Sequence, residues 1–191
     1  QASALNSVNA TYIQASIAET SIANLSTIVV NNATRTSLNK FSFDVSDTSA
    51  TAVELNNIIA KTSVAVDLTN VGAIEASNSA AITTLYTATT FGLGNETISV
   101  SDTTINAKAL NDINGYTTGV VNASSVNTIT GTAAEVIAAY AADSTGNITG
   151  LGNEAVTITD TSINASVLMT LDAFTTGIIN ASSITTLTGS D

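Results

Sequence analysis

Apolar and polar positions along this chain follow two periods in turn. Short β-branched runs such as Thr97-Ile98-Ser99-Val100 and Ser183-Ile184-Thr185-Thr186-Leu187 read as strands. Ala-rich runs between them carry apolar residues three apart, Leu110 with Ile113 and Leu168 with Leu171, which share one face of a helix. Thr132 and Glu135 frame a capping box ahead of Ala133 to Tyr140, and Thr51, Asn106 and Asn164 are N-cap residues for their own runs. Helix starts are predicted near residues 2, 21, 51, 78, 106, 132 and 164. A strand, a turn and a short helix within so short a stretch is the length of one coil in an α/β solenoid of short parallel strands alternating with short helices. An all-β solenoid is the alternative; the Ala runs favour helices, because Ala gains little in a strand.

The pattern repeats. Gly92-Leu93-Gly94-Asn95-Glu96 returns as Gly150-Leu151-Gly152-Asn153-Glu154, and at the same offset Val121-Asn122-Ala123-Ser124-Ser125 returns as Ile179-Asn180-Ala181-Ser182-Ser183. Val45-Ser46-Asp47-Thr48 and its copy from Val100 to Thr103 lie closer together than that, so the first unit is three residues shorter. The loop before Gly92 is the expected place for the gap. Leu55, Leu110 and Leu168 correspond, as do Val71, Val126 and Ile184. Positions that vary only among Leu, Ile and Val predict stacked core ladders. Asn122 and Asn180, with Asp67 in the shorter unit, predict an internal ladder of polar side chains. The organisation read from this is one continuous solenoid: divergent repeats over 1–40, units over 41–95 and 96–153, and a partial unit over 154–191.

Composition narrows the function classes. Four Phe, four Tyr, one Met and no Trp among 191 residues point to an interior of small and β-branched side chains. Fifteen acids against four bases, Arg35, Lys40, Lys61 and Lys108, give a net charge of −11. Such a chain lacks the basic clusters that bind nucleic acid or anionic lipid. No window approaches the apolar length of a membrane span. The chain begins with Gln1 and shows no signal peptide, so it reads as processed or as a segment of something longer.

Candidate chemistry is sparse. His and Cys are both absent, which removes the usual nucleophile–base pairs, and no catalytic residue or cofactor is assigned. Asp47, Asp102 and Asp160 recur ahead of a Thr, where a carboxylate accepts backbone N–H groups. Calcium is the one cofactor considered, with Asn95, Glu96, Asn153 and Glu154 as ligands beside their Gly turns; a plain turn needing positive φ at Gly is the competing reading. Asn-X-Ser/Thr acceptors occur at Asn9, Asn24, Asn32, Asn95, Asn122, Asn147, Asn164 and Asn180 in a chain rich in Ser and Thr. Thr-rich strands such as Thr185 to Thr188 raise adsorption to an ordered lattice such as ice.

Gly150 to Thr157, Leu171 to Gly177 and Ile179 to Gly189 resemble a repeat found in very large surface or secreted proteins of marine cyanobacteria, often labelled hemolysin-like or calcium-binding. The resemblance covers residues 41–191. It implies an extracellular or cell-surface repeat protein, and the missing His and Cys make a non-enzymatic role the expectation. The expected function is structural: a fibre, appendage or surface layer, built by self-association through head-to-tail stacking or by continuation of a longer repeat chain. An adhesin segment binding a glycan or surface, and a virus fibre or appendage component, are the alternatives.

Overall fold

The computed structural model describes residues 13–27 and 39–189, and the helix expected near residue 2 lies outside them. The chain is mixed α/β, with parallel strands alternating with helices in an α/β repeat arrangement. It divides into two compact units, Gln1–Glu96 and Thr97–Asp191.

In the first unit the order is β1 (Ile13–Thr20), α1 (Ile22–Ser26), β2 (Asn39–Val45), β3 (Ser49–Thr51), α2 (Ala52–Ile59), β4 (Val66–Asp67), β5 (Ala73–Ser77), α3 (Ser79–Thr87) and β6 (Thr90–Phe91). Strands β1, β2, β4 and β6 pair in that order, and β3 pairs with β5. In the second unit the order is β7 (Thr97–Val100), β8 (Thr104–Asn106), α4 (Ala107–Tyr116), β9 (Val121–Asn122), β10 (Thr128–Gly131), α5 (Ala133–Ser144), β11 (Ile148–Thr149), β12 (Ala155–Ile158), β13 (Ser162–Asn164), α6 (Ala165–Asp172), β14 (Ile179–Asn180) and β15 (Thr186–Thr188). There β8, β10, β12 and β14 form one ladder, β7, β9 and β11 a second, and β13 with β15 a third. All of these pairs are parallel.

The helices start where their caps dictate. Ser21, Thr51, Asn78, Asn106, Thr132 and Asn164 are the N-caps, each accepting from a backbone N–H in the first turn. Both Thr51–Glu54 and Thr132–Glu135 close as capping boxes. The Thr51 amide and hydroxyl hold the Glu54 carboxyl below its usual range.

A second set of caps crosses between coils. The Ile22 N–H donates to Asp47 Oδ2 at 2.6 Å and the Ala133 N–H to Asp160 Oδ2 at 2.7 Å. The Ala52 N–H donates to Ser77 Oγ at 2.7 Å. In each pair the acceptor sits one coil further along the chain and covers the first helical residue of the coil before it. The helix dipole adds to the attraction for the two carboxylates. Gly131 takes the same position over α4, where a Cβ would lie 3.2 Å from Ala107 Cβ, so that amide receives no side-chain cap from Gly131. Helices are also tied by Asn side chains: Asn56 Nδ2 donates to Ala81 O and Asn111 Nδ2 to Glu135 O, each at 2.9 Å.

Three expectations need correction. Repeat copies are not ladder neighbours. Thr104 pairs with Thr128, Thr128 with Ala155, and Val156 with Ile179, so a coil closes in less than half a repeat. The actual apolar ladder runs Ile105, Ile129, Val156, Ile179. Leu55, Leu110, Val71 and Val126 are buried core residues, but their neighbours come from adjacent coils and not from their repeat copies. Leu168 and Ile184 are only half-buried, because no further coil covers theirs among the described residues.

The polar ladder is also absent. Asn122 and Asn180 are exposed, and each Oδ1 accepts from the amide two residues on, Ser124 at 3.0 Å and Ser182 at 3.1 Å. Half-buried Asp67 does the same with Thr69 at 2.9 Å. These are Asx turns, and the register neighbours of Asn122 are Ser99 and Thr149, not another Asn. Finally, the extra length of the second repeat lies mostly in a helix, since α5 has 12 residues where α3 has nine.

Leu110 is fully buried on α4. Leu110→Ala is expected to cost about 2–5 kcal/mol, and Leu110→Asp more, because its charge would be unpaired; an unchanged urea midpoint for Leu110→Asp would show that the core is elsewhere. Asp160→Ala is expected to cost about 1–2 kcal/mol through loss of the inter-coil cap on α5, read as a lower melting temperature with native secondary structure retained.

Candidate functional site

The recurring Gly-Leu-Gly-Asn-Glu turns are the most organised polar feature. Their first glycines, Gly92 and Gly150, both have φ 92°. A Cβ on Gly150 would lie 2.8 Å from Ser124 Cα and N, and one on Gly92 would lie 2.4 Å from Thr69 N. Each glycine thus seats its turn directly on the Asx turn of the preceding coil, and only glycine fits both the space and the conformation. This explains why the two motifs recur together in the sequence.

The glutamates that close these turns face inward. Glu96 and Glu154 are buried. The Gly94 N–H donates to Glu96 Oε1 and Oε2 at 2.8 and 2.9 Å, and the Tyr86 hydroxyl donates at 2.5 Å. The Gly152 N–H reaches Glu154 at 3.1 and 2.8 Å, and the Tyr140 hydroxyl donates at 3.0 Å. Tyr140 stacks on Phe174 with ring centroids 5.6 Å apart. A clasp follows from Thr175, whose hydroxyl donates to Glu154 O at 2.8 Å, while the Thr176 N–H donates to Gly152 O at 2.9 Å. Gly177 passes so close that a Cβ would lie 2.0 Å from Glu154 O.

This geometry favours the plain-turn reading over the calcium one: Glu96 and Glu154 present their oxygens to N–H and O–H donors, the backbone N–H of exposed Asn95 adding a contact to Glu96 Oε1 at 3.3 Å, while the side chains of Asn95 and Asn153 are exposed. The carboxylates act as anchors for the turn. Their partners were not legible in the sequence, because Tyr86 precedes Glu96 by 10 residues while Tyr140 precedes Glu154 by 14. The longer α5 separates the second pair and hides the correspondence.

Other candidates resolve into local structure. Asp47 and Asp160 sit at turns as expected, but their work is capping the helix one coil back. Ser77, which does the same for α2, carried no recognisable signal; it follows Ala76, whose φ is 30°. A cleft of about 300 Å³ beside α1 and α2 contains Asp47 and Glu54. Both carboxylates already accept backbone N–H groups there, from Ile22 and Thr51. The Asn-X-Ser acceptors at Asn122, Asn164 and Asn180 have a structural reason for their spacing: each Asn accepts from the amide of the Ser two residues on. Asn9 and Asn32 lie outside the described residues. The Thr rows are interrupted, with Ala155 in register with Thr104 and Thr128.

No family model, curated protein or solved structure matches the chain. Among the described residues, no group of three or more acidic side chains is placed to share a metal ion, and no helix is long and apolar enough to cross a membrane.

Burial first, and then hydrogen bonding to Glu96, pushes the Tyr86 phenol well above its ordinary range; burial is likewise the leading cause at Tyr140, with Glu154 adding to it. Their protons bind more tightly in the folded chain. Stability is therefore full below the ordinary phenol pKa of about 10 and falls as pH rises past it. Melting temperature is expected to drop above that pH, and Tyr140→Phe to flatten the drop. Phenolate absorbance from Tyr86 and Tyr140 should appear only as the chain unfolds; their ionisation in native protein would contradict the buried geometry.

Proposed function

We propose that this chain is a structural, non-enzymatic repeat protein of the cell exterior, a component of a fibre, appendage or surface layer. It assembles by head-to-tail stacking of subunits or forms part of a longer run of the same coils. One observation carries the reading: the recurring polar side chains hold coil to coil. Asp47, Ser77 and Asp160 cap helices in the preceding coil, Asn56 and Asn111 bridge successive helices, and Glu154 is clasped by the next coil through its own backbone. Such a design resists deformation along the stacking direction and extends by repetition. The surface or secreted proteins whose repeat the units resemble support the location, and the acidic surface suits a solvated exterior.

Electron microscopy of the purified native material, paired with light scattering, tests this directly. Long uniform filaments or sheets are the expected outcome. Monodisperse single chains that bind a glycan on an array would replace the structural reading with the adhesin one.

A further inference from the structure

Asparagine is plentiful in this chain, but many of its side chains are tied down. Asn78, Asn106, Asn122, Asn164 and Asn180 each hold Oδ1 against a backbone N–H of a cap or turn. Asn114 does not: its side chain makes no hydrogen bond among the described residues. It is also the one Asn of the sequence that Gly follows. Gly115 is exposed, and a Cβ there would meet nothing within 4 Å. Asn57, Asn95, Asn127 and Asn153 leave their side chains free as well, but Ile58, Glu96, Thr128 and Glu154 come after them. Each of those followers screens its own amide nitrogen with a side chain, and Gly115 has none.

Asn114 and Gly115 lie in the last turn of α4, which ends at Tyr116. Helix ends fray, and Gly is the weakest helix former after Pro. Opening of that turn releases the Gly115 nitrogen from the helix and lets the Asn114 side chain fold back onto it. The repeat copies show what the position accepts. Asp172 and Ala173 stand where Asn114 and Gly115 do, and α6 ends on Asp172 with Ala173 as its C-cap. A carboxylate therefore fits at this helix end.

We infer that Asn114 is a site of spontaneous covalent modification, converted to aspartate and isoaspartate through attack by the Gly115 nitrogen. The backbone nitrogen loses its proton to base and bonds to Asn114 Cγ. The Cγ–Nδ2 bond breaks, ammonia leaves, and a five-membered succinimide remains. Water then opens the ring. Cleavage of the new N–Cγ bond leaves aspartate with the normal backbone. Cleavage of the original peptide bond leaves isoaspartate, with the chain running through Cγ. Water is the one co-reactant, and nothing is oxidised or reduced. The aspartate product matches Asp172, so the fold keeps it. The isoaspartate product inserts an extra backbone carbon and disrupts the spacing of the last helical turn. In a slowly replaced surface structure of the kind proposed above, the modified fraction rises with the age of the material.

Incubation of the purified chain in mildly alkaline buffer, followed by peptide mass mapping and enzymatic isoaspartate labelling, tests the inference. The peptide holding Asn114 is expected to show the amide-to-acid mass gain before any other, and to take up the label. Gly115→Ala is expected to slow the conversion at least about fivefold, since Ala favours the closed helical turn by roughly 1 kcal/mol. Its Cβ has open space, and a native circular dichroism spectrum checks that the variant folds. Asn114→Gln is expected to abolish the label in that peptide. An Asn114 left intact, whether or not other Asn residues convert, overturns the inference, as does a folded Gly115→Ala that converts at the wild-type rate. Acid gained at Asn114 without any isoaspartate label means direct hydrolysis of the side chain and overturns the role of Gly115.

Discussion

No coil of this protein can bury its own apolar face. A strand of three or four residues and a helix of eight to twelve, such as β10 with α5 or β13 with α6, leave one side of each element uncovered until another coil lies against it. The next coil supplies both the parallel hydrogen bonds and the apolar cover. Ile129 shows the result: it is sealed between Ile105 of the coil before and Val156 of the coil after. Everything else in the fold serves this mutual covering.

The polar groups follow the same rule. Short helices leave a large fraction of their backbone N–H groups unpaired at the N-terminus. Local caps satisfy part of that demand. Asp47, Ser77 and Asp160 satisfy more of it from the next coil, which makes helix stability conditional on stacking. The Gly turns extend the logic: Gly150 rests on Ser124 of one coil, and Gly177 of the following coil rests on Glu154. A buried carboxylate is tolerable there because amide and phenol donors surround it. The groups that look chemically active in the sequence are thus positioned to hold neighbours in place, and this is what links the fold to a structural reading of function.

The scarcity of bulky aromatics acquires a physical meaning in this setting. A coil that closes within half a repeat, with neighbours at strand spacing, leaves little room for large side chains, and Ala, Val, Ile and Leu fill it. The exceptions are Phe43, fully buried within β2, and Phe174 with Tyr140, which stack at the Glu154 turn.

The sequence by itself determined the local structure. Helix starts were legible at Ser21, Thr51, Asn78, Asn106, Thr132 and Asn164 because capping is decided by residues within one turn of each other. The alternation of strand and helix, and burial of Leu55, Leu110, Val71 and Val126, followed from periodicity for the same reason. Which residues face each other across coils was not legible. The repeat length suggested that successive copies stack, as Val121 on Ile179. The ladder instead joins Val121 to Ile98 and Ile148, less than half a repeat away on either side, and the difference shifts every inter-coil partner. Asn122 therefore turns out to solvent as an Asx turn, and Glu154 turns in to meet Tyr140. Repetition in a sequence records which positions share an environment. The length of one coil was legible from the strand–turn–helix spacing, but only the tertiary structure decides which positions touch, because strand register is set when one coil packs on the next.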